Sequence, residues 1–248
     1  MPLSFPATRR VQPDRHGSAG LQPSVNPPSG FASCTGLAAC TGLGMSPRLD
    51  PLTHRFAMWA GRRYGTTCAD IGCGAGIATA AALVRGARVI AVDPDTTQIQ
   101  PLLAQLSVQD YARVDLRTGA LPALKLAPSS LTSIHVARVF HLLDGPDIRE
   151  CLRRFADALR KDGKLFISVL TPEGDYWSKF RQDYERRCAF NETWPGAADS
   201  RRPHLLDEHV LERELTLAGF GVEEFLSFPL AWDPSQICCG VVAIPQVC

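Results

Sequence analysis

An acidic residue followed by three alternating glycines is the feature of this sequence best suited to holding a ligand. Residues 68–76 read Cys-Ala-Asp-Ile-Gly-Cys-Gly-Ala-Gly and precede an alanine-rich segment. Glycine tolerates positive φ and lets a ligand approach the backbone closely, and a helix that starts here offers free N–H groups. The run predicts a strand, a tight loop and a helix start that could hold a nucleoside-linked group with a polar tail. The alternative is a tight strand-to-helix turn without a ligand.

A second acidic residue follows the next apolar segment. Val89–Val92 lead to Asp93, which comes 17 residues after Gly76. A carboxylate at the tip of a second strand can accept hydrogen bonds from both ribose hydroxyls, as in dinucleotide-binding enzymes. Their fingerprint needs a glycine where this chain has Ile77, because a branched side chain opposes the close packing that shapes the pyrophosphate site. The pattern therefore favours a nucleoside cofactor without a pyrophosphate, and an NAD-dependent oxidoreductase is an alternative.

The elements that position these residues alternate between strand and helix. An Asp50-Pro51 cap opens a first helix, and two strands near the end of the chain are joined by a link too short for a crossover helix. This pattern predicts an α/β fold with a Rossmann-like, seven-stranded, mostly parallel sheet, an antiparallel C-terminal strand and helices on both faces. The predicted strands are Thr66–Ile71, Arg88–Val92, Ala112–Leu116, Ser133–Val139, Lys164–Leu170, Gly221–Leu226 and Cys239–Ile244; the further helices are Ile77–Arg85, Thr97–Leu106, Asp147–Arg160 and Glu208–Ala218.

Several of these segments resemble the class I S-adenosylmethionine-dependent methyltransferases. Asp70 through Gly76, followed by Asp93, is similar to the first two motifs of that family. Leu159–Leu165 resembles its turn before the fifth strand, and Val139–Leu143 its segment after the fourth. The likeness covers roughly residues 53–244, and the glycine motif is its specific part.

The resemblance implies an enzyme with S-adenosylmethionine as cofactor, and the sequence requires no metal. It places the methionine portion on Asp70 and the glycine loop, and the ribose on Asp93. The family often has an acidic residue after the third strand that binds the adenine amino group, where this chain has Ala120. Backbone groups would then read the adenine, or the protein is a catalytically silent binding or regulatory member of the fold. The implied cofactor-binding residues are Asp70, Gly72, Cys73, Gly74, Gly76, Asp93, Pro94, Ala120 and Leu121.

Three residues are candidates for work on the methyl acceptor. Arg138, at the end of an apolar strand, could clamp a substrate carboxylate or the methionine carboxylate, or it could pair with Asp144. His141 could be a general base or a packed residue, and Tyr176 is a weaker candidate for the same role. His135 is expected to face a helix and to be structural.

An aromatic segment is expected to cover the acceptor. In Asp175–Trp194 the aromatic residues at 177, 180 and 184 fall on one helical face. The segment is predicted to be a lid over an apolar pocket, and the alternative is a core stripe or a dimer contact. Because the net charge is +1 and basic patches are missing from the sequence, a small-molecule acceptor is favoured over nucleic acid.

The chain divides into a tail and a domain. Residues 1–44 are rich in proline, glycine and serine and are predicted to be disordered; a targeting peptide, or an extension upstream of Met45, is the other interpretation. Residues 45–248 are predicted to form the methyltransferase domain. The nine cysteines include no Cys-x-x-Cys spacing, which favours reduced thiols in a cytoplasmic protein without a metal site. No apolar run approaches the length of a membrane span.

Overall fold

A seven-stranded sheet is the centre of the fold. The computed structural model describes residues 49–104, 106–174, 205–231 and 233–246. The strands run in the order β3-β2-β1-β4-β5-β7-β6. Strands β1 to β5 are parallel, and β7 is antiparallel to both β5 and β6. The predicted topology is therefore confirmed. Their bounds are β1 Thr67–Ile71, β2 Arg88–Asp93, β3 Val114–Thr118, β4 Leu131–Ala137, β5 Leu159–Leu170, β6 Phe220–Pro229 and β7 Ile237–Pro245.

Acidic caps begin most of the helices in the described residues. The helices are α1 Pro51–Ala60, α2 Ile77–Val84, α3 Thr96–Leu103, α4 Val108–Tyr111, α5 Gly145–Ala158 and α6 Glu208–Leu217. Asp50, Asp95, Asp144 and Asp207 each accept a backbone N–H of the first turn of α1, α3, α5 and α6. These bonds satisfy N–H groups that have no partner within the helix.

The two faces of the sheet carry separate apolar clusters. Helices α1, α2 and α3 cover one face, where Leu52, Phe56 and Leu83 are buried. Helices α5 and α6 cover the other face, where Phe155 and Leu215 are buried. Parallel strands buried on both faces explain the nearly continuous apolar runs in the sequence.

Several element boundaries differ from the prediction, and three of these differences have a local structural cause. The short helix α4, which starts with a capping box between Ser107 and Asp110, delays β3 by two residues relative to the predicted Ala112. Strand β4 ends at Ala137 and not at Val139, because Arg138 adopts a positive φ of 57°. Strand β5 starts at Leu159, since residues 160–163 form an irregularity opposite Thr132 in the ladder with β4.

Two predicted segments lie outside the described residues. They are the tail at residues 1–44 and the aromatic segment at residues 175–194, which includes Tyr176. Within the residues that the structure describes, no helix combines the length and the hydropathy needed to cross a bilayer.

Candidate cofactor and active site

The glycine loop between β1 and α2 is folded back onto β2. The backbone N–H groups of Gly72 and Cys73 both donate to the carbonyl of Val92, at 2.8 and 3.0 Å. Gly72, Gly74 and Gly76 have φ values of 72°, 50° and 77°, a left-handed conformation that glycine adopts at little cost. The loop is thus fixed at the carboxyl edge of the sheet, where open α/β sheets bind their ligands.

Two of these glycines have no room for a side chain. A Cβ on Gly72 would clash with Cγ2 of Val139, and one on Gly76 would lie 2.6 Å from Cδ1 of Leu102. Gly76 is also the residue from which α2 begins. Both the backbone conformation and the packing therefore require glycine at these positions.

Asp93 is bound to the glycine loop by its side chain. Its Oδ2 accepts the backbone N–H of Gly74 at 2.9 Å, and its Oδ1 accepts that of Asp95 at 3.0 Å. The carboxyl is 7% exposed. Burial raises its pKa above the ordinary value, against the two backbone hydrogen bonds, which lower it. The bond to Gly74 brings together the glycine loop and the acidic end of β2, the two segments that the sequence singled out. The carboxylate of Asp93 can accept further hydrogen bonds from a ligand.

Asp70 is held by two side chains that sequence reasoning did not connect to it. Its Oδ2 accepts the Thr79 hydroxyl at 2.6 Å, and its Oδ1 lies 2.8 Å from Nδ1 of His135. The other ring nitrogen of His135 lies 3.2 Å from Oγ1 of Thr53 in α1, and the ring stacks on Phe56. His135 does face a helix as predicted, but its contact with Asp70 was missed. The two residues are direct partners across β1 and β4, and sequence alone does not give a strand register.

The segment after β3 lies beside Asp93. The backbone N–H of Gly119 donates to the carbonyl of Asp93 at 3.2 Å. Ala120 is exposed, and Leu121 is half-buried against the core. Pro94 is exposed. This placement leaves Ala120 and Leu121 next to the predicted ribose position, and their role with adenine stays a prediction.

Arg138 and His141 follow β4 at the same edge of the sheet. Arg138 is half-buried, and its backbone N–H donates to the carbonyl of Ser168 in β5 at 2.7 Å. His141 is fully buried in a 3-10 turn, Phe140–Leu142. Asp144, the alternative partner of Arg138, accepts the N–H of Asp147 at 2.9 Å as the cap of α5. Tyr176 lies outside the described residues.

The thiol of Cys73 is unsuited to nucleophilic chemistry. Burial raises its pKa, and the nearby carboxylates of Asp70 and Asp93 raise it further, so the reactive thiolate is disfavoured. In the described part of the chain, no group of three His, Cys, Asp or Glu residues is arranged to hold a metal ion.

Comparison with known proteins gives the same picture as this geometry. Residues 68–163, from β1 to the start of β5, match a family described as a methyltransferase domain. Over this range the chain is similar to methyltransferases. The family likeness predicted from the glycine motif is thereby confirmed.

One curated relative of the chain is the ubiquinone biosynthesis O-methyltransferase of Idiomarina loihiensis. The two are 29% identical over 116 residues, which is 46% of this chain and 46% of the relative. The chain therefore matches about half the length of that relative.

Solved structures share the fold at low sequence identity. The 1,6-didemethyltoxoflavin N1-methyltransferase of Burkholderia thailandensis, solved with S-adenosylhomocysteine, is 19% identical with a TM-score of 0.58, and the match covers 79% of each chain. The [4+2]-cyclase SpnF is 13% identical with a TM-score of 0.57, covering 79% of this chain and 81% of the cyclase. Because these neighbours include a methyltransferase and a cyclase, the likeness establishes the fold and not the reaction.

Proposed function

We propose that this protein transfers the methyl group of S-adenosylmethionine to a small-molecule acceptor. The observation that carries the proposal is the Asp93 carboxylate, which is bound to the N–H of Gly74 at 2.9 Å. This bond joins the first two family motifs into one cradle of an acceptor-only carboxylate and a side-chain-free loop. Such a cradle suits a ribose with two hydroxyl donors.

The residues present fit an adenosyl cofactor. Asp93 would accept the ribose hydroxyls, and the backbone of Ala120 and Leu121 would border the adenine. Asp70 and the loop residues Gly72, Cys73, Gly74 and Gly76 would face the amino-acid tail. When bound, the cofactor supplies an electrophilic methyl group on a sulfonium. The protein contributes alignment of the acceptor with that methyl and exclusion of water.

The residues after β4 are proposed to serve the acceptor. Arg138 holds a left-handed backbone conformation, which costs a non-glycine residue roughly 1–2 kcal/mol and is concentrated at functional sites. Its guanidinium would clamp an acidic group of the acceptor. His141, and Tyr176 in the proposed lid, would take the proton of a hydroxyl or amine acceptor.

Binding of S-adenosylhomocysteine to the purified chain tests the cofactor assignment. We expect micromolar or tighter binding by calorimetry and no comparable binding of NAD. At a free concentration of about 100 times Kd, the ligand should add about 2.7 kcal/mol to the free energy of unfolding, a rise in Tm of roughly 5 to 11 °C. Binding of NAD without S-adenosylhomocysteine would instead support an oxidoreductase.

Labelled methyl transfer into a cell extract tests the reaction and the role of Arg138. Arg138→Met should reduce incorporation about tenfold or more while the affinity for S-adenosylhomocysteine stays within about twofold. Equal loss of both would assign Arg138 to the methionine carboxylate.

A catalytically silent binding protein is the second candidate. Ala120 stands where the family often has an adenine-binding acid, and the same fold also supports the cyclase SpnF. Tight binding of S-adenosylhomocysteine without any labelled product would favour this candidate.

The five cysteines among the described residues that are free thiols are all buried, which supports a reducing, cytoplasmic environment.

A further inference from the structure

A chain of polar side chains runs through the core from the first helix to the glycine loop. Asp50, the cap of α1, accepts the Thr53 hydroxyl at 3.0 Å. Thr53 Oγ1 lies 3.2 Å from Nε2 of His135, and His135 Nδ1 lies 2.8 Å from Asp70 Oδ1. Thr79, in the first turn of α2, completes the chain by donating to Asp70 Oδ2 at 2.6 Å. Asp70 and Thr79 lie at the two ends of the glycine loop, so their hydrogen bond closes the loop.

This row of hydrogen-bonded side chains fixes the orientation of the Asp70 carboxylate. Asp70 is 1% exposed and His135 is 3% exposed. Burying either side chain without a hydrogen-bond partner would destabilise the fold. The imidazole is held at both nitrogens and by a stack on Phe56 with ring centroids 4.7 Å apart. The histidine held in this way and the Thr79 hydroxyl each contact one oxygen of the carboxylate, and together they set its orientation.

We propose that His135 is a positioning residue for the amino-acid tail of the cofactor. This inference rests on the proposed function and adds to it a residue from outside the loop. Each oxygen of Asp70 has a second lone pair beyond the one that Thr79 or His135 uses. The bonds from Thr79 and His135 set the directions in which these free lone pairs point. A carboxylate, which only accepts hydrogen bonds, attracts a cationic ammonium group. The nucleoside part has its own acceptor in Asp93, so His135 acts on the tail alone.

Two ligands separate positioning of the tail from general stability. S-adenosylhomocysteine carries the amino-acid tail, and 5′-methylthioadenosine has the same nucleoside and thioether without it. In His135→Gln, the amide nitrogen takes the place of Nε2 and the bond to Asp70 is lost. We expect affinity for S-adenosylhomocysteine to fall about tenfold or more, while that for 5′-methylthioadenosine stays within about twofold.

Matched variants test which bond matters. His135→Asn places its amide nitrogen near the position of Nδ1. It should recover most of the affinity for S-adenosylhomocysteine that His135→Gln loses. Thr53→Val removes the contact of His135 with α1 but leaves its bond to Asp70, so it should change the ratio of the two affinities less than His135→Gln does. Thr79→Val removes the other bond to Asp70 and should reproduce the selective loss, which keeps the test available if the His135 variants do not fold.

The outcomes separate this inference from the proposed function. Equal weakening of both ligands in His135→Gln and Thr79→Val would show a purely structural role and overturn the inference. Failure of the unmodified chain to bind either ligand would overturn the proposed function instead. Calorimetry supplies the affinities, and thermal unfolding of each variant confirms that it is folded.

Discussion

Two carboxylates at the same edge of the sheet are held in different ways. Asp93 is fixed by two backbone N–H groups and Asp70 by two side chains. Backbone N–H donors remain whatever the side chain is, except in proline, whereas a side-chain donor can be removed by a single substitution. Asp93, the last residue of β2, is thus fixed against the glycine loop by the backbone, and the orientation of Asp70 depends on neighbouring side chains.

Binding of S-adenosylhomocysteine should weaken on acidification because of Asp93. Burial raises the pKa of this carboxyl above the ordinary 3.8, so it gains a proton at a higher pH than most aspartates. The protonated form is a poorer acceptor for ribose hydroxyls, and affinity should fall with a midpoint above that ordinary value. Calorimetry between about pH 7.5 and about pH 4.5 measures this change.

Asp93→Asn is the control for that titration. It should weaken binding about tenfold at neutral pH and remove the part of the pH dependence that Asp93 causes. An unchanged pH profile in Asp93→Asn would assign the titration to another group.

At the scale of elements, the glycine loop joins three strands. It leaves β1, bonds to the carbonyl of Val92 at the end of β2, and packs Gly72 against Val139 after β4. A side chain on Gly72 would therefore disturb two neighbouring strands as well as its own backbone. Its position is defined by close contact between elements.

Gly72→Ala should lower the free energy of unfolding more than Gly65→Ala. Both glycines have positive φ, 72° and 75°, but a Cβ on Gly65 meets nothing within 4 Å. Gly65→Ala should cost roughly 1–2 kcal/mol for the backbone conformation, and Gly72→Ala a further 1–3 kcal/mol or so for the contact with Val139. Urea unfolding of both variants measures the difference.

Adding Val139→Ala to Gly72→Ala tests the cause. The double variant removes the methyl groups that would clash, and we expect a coupling energy of at least about 1 kcal/mol. Strict additivity would mean that the loop moves away from Val139 instead.

At the scale of the whole molecule, a buried charge joins the two helices on one face of the sheet. Glu214 of α6 is 2% exposed and accepts Arg149 of α5 at 2.7 Å and Arg213 at 3.0 Å. Burial alone would raise the pKa of Glu214, but the hydrogen bonds from the two arginines hold it below the ordinary 4.5. Its contribution to stability is therefore present above that pH and is lost as the pH falls through the lowered pKa.

Arg149→Met should destabilise the fold by roughly 1–3 kcal/mol at neutral pH, since it leaves Glu214 with one arginine. Arg153 on the same helix pairs with Glu150 and Asp157 while 61% of its side chain is exposed. Arg153→Met should cost less stability than Arg149→Met, because such surface pairs contribute little. Equal effects in urea unfolding would show that burial of Glu214 is unimportant.

The order and type of the elements follow from local patterns. Apolar runs, acidic caps and glycines mark strands and helices within a few residues, as the matching ranges for β1 and α2 illustrate. Boundaries such as the end of β4 did not follow, because the conformation of Arg138 depends on the strand beside it.

By itself, the sequence determined the fold class, with its mostly parallel sheet and antiparallel C-terminal strand, and the two motifs that mark the candidate cofactor site, because spacing and residue type are local properties of the chain. Only the tertiary structure decided that Asp70 is held by His135 and Thr79 and that Val139 lies against Gly72. Those contacts depend on strand register and helix packing, which join residues up to 67 positions apart, as Gly72 and Val139 are. No local pattern in the sequence encodes them.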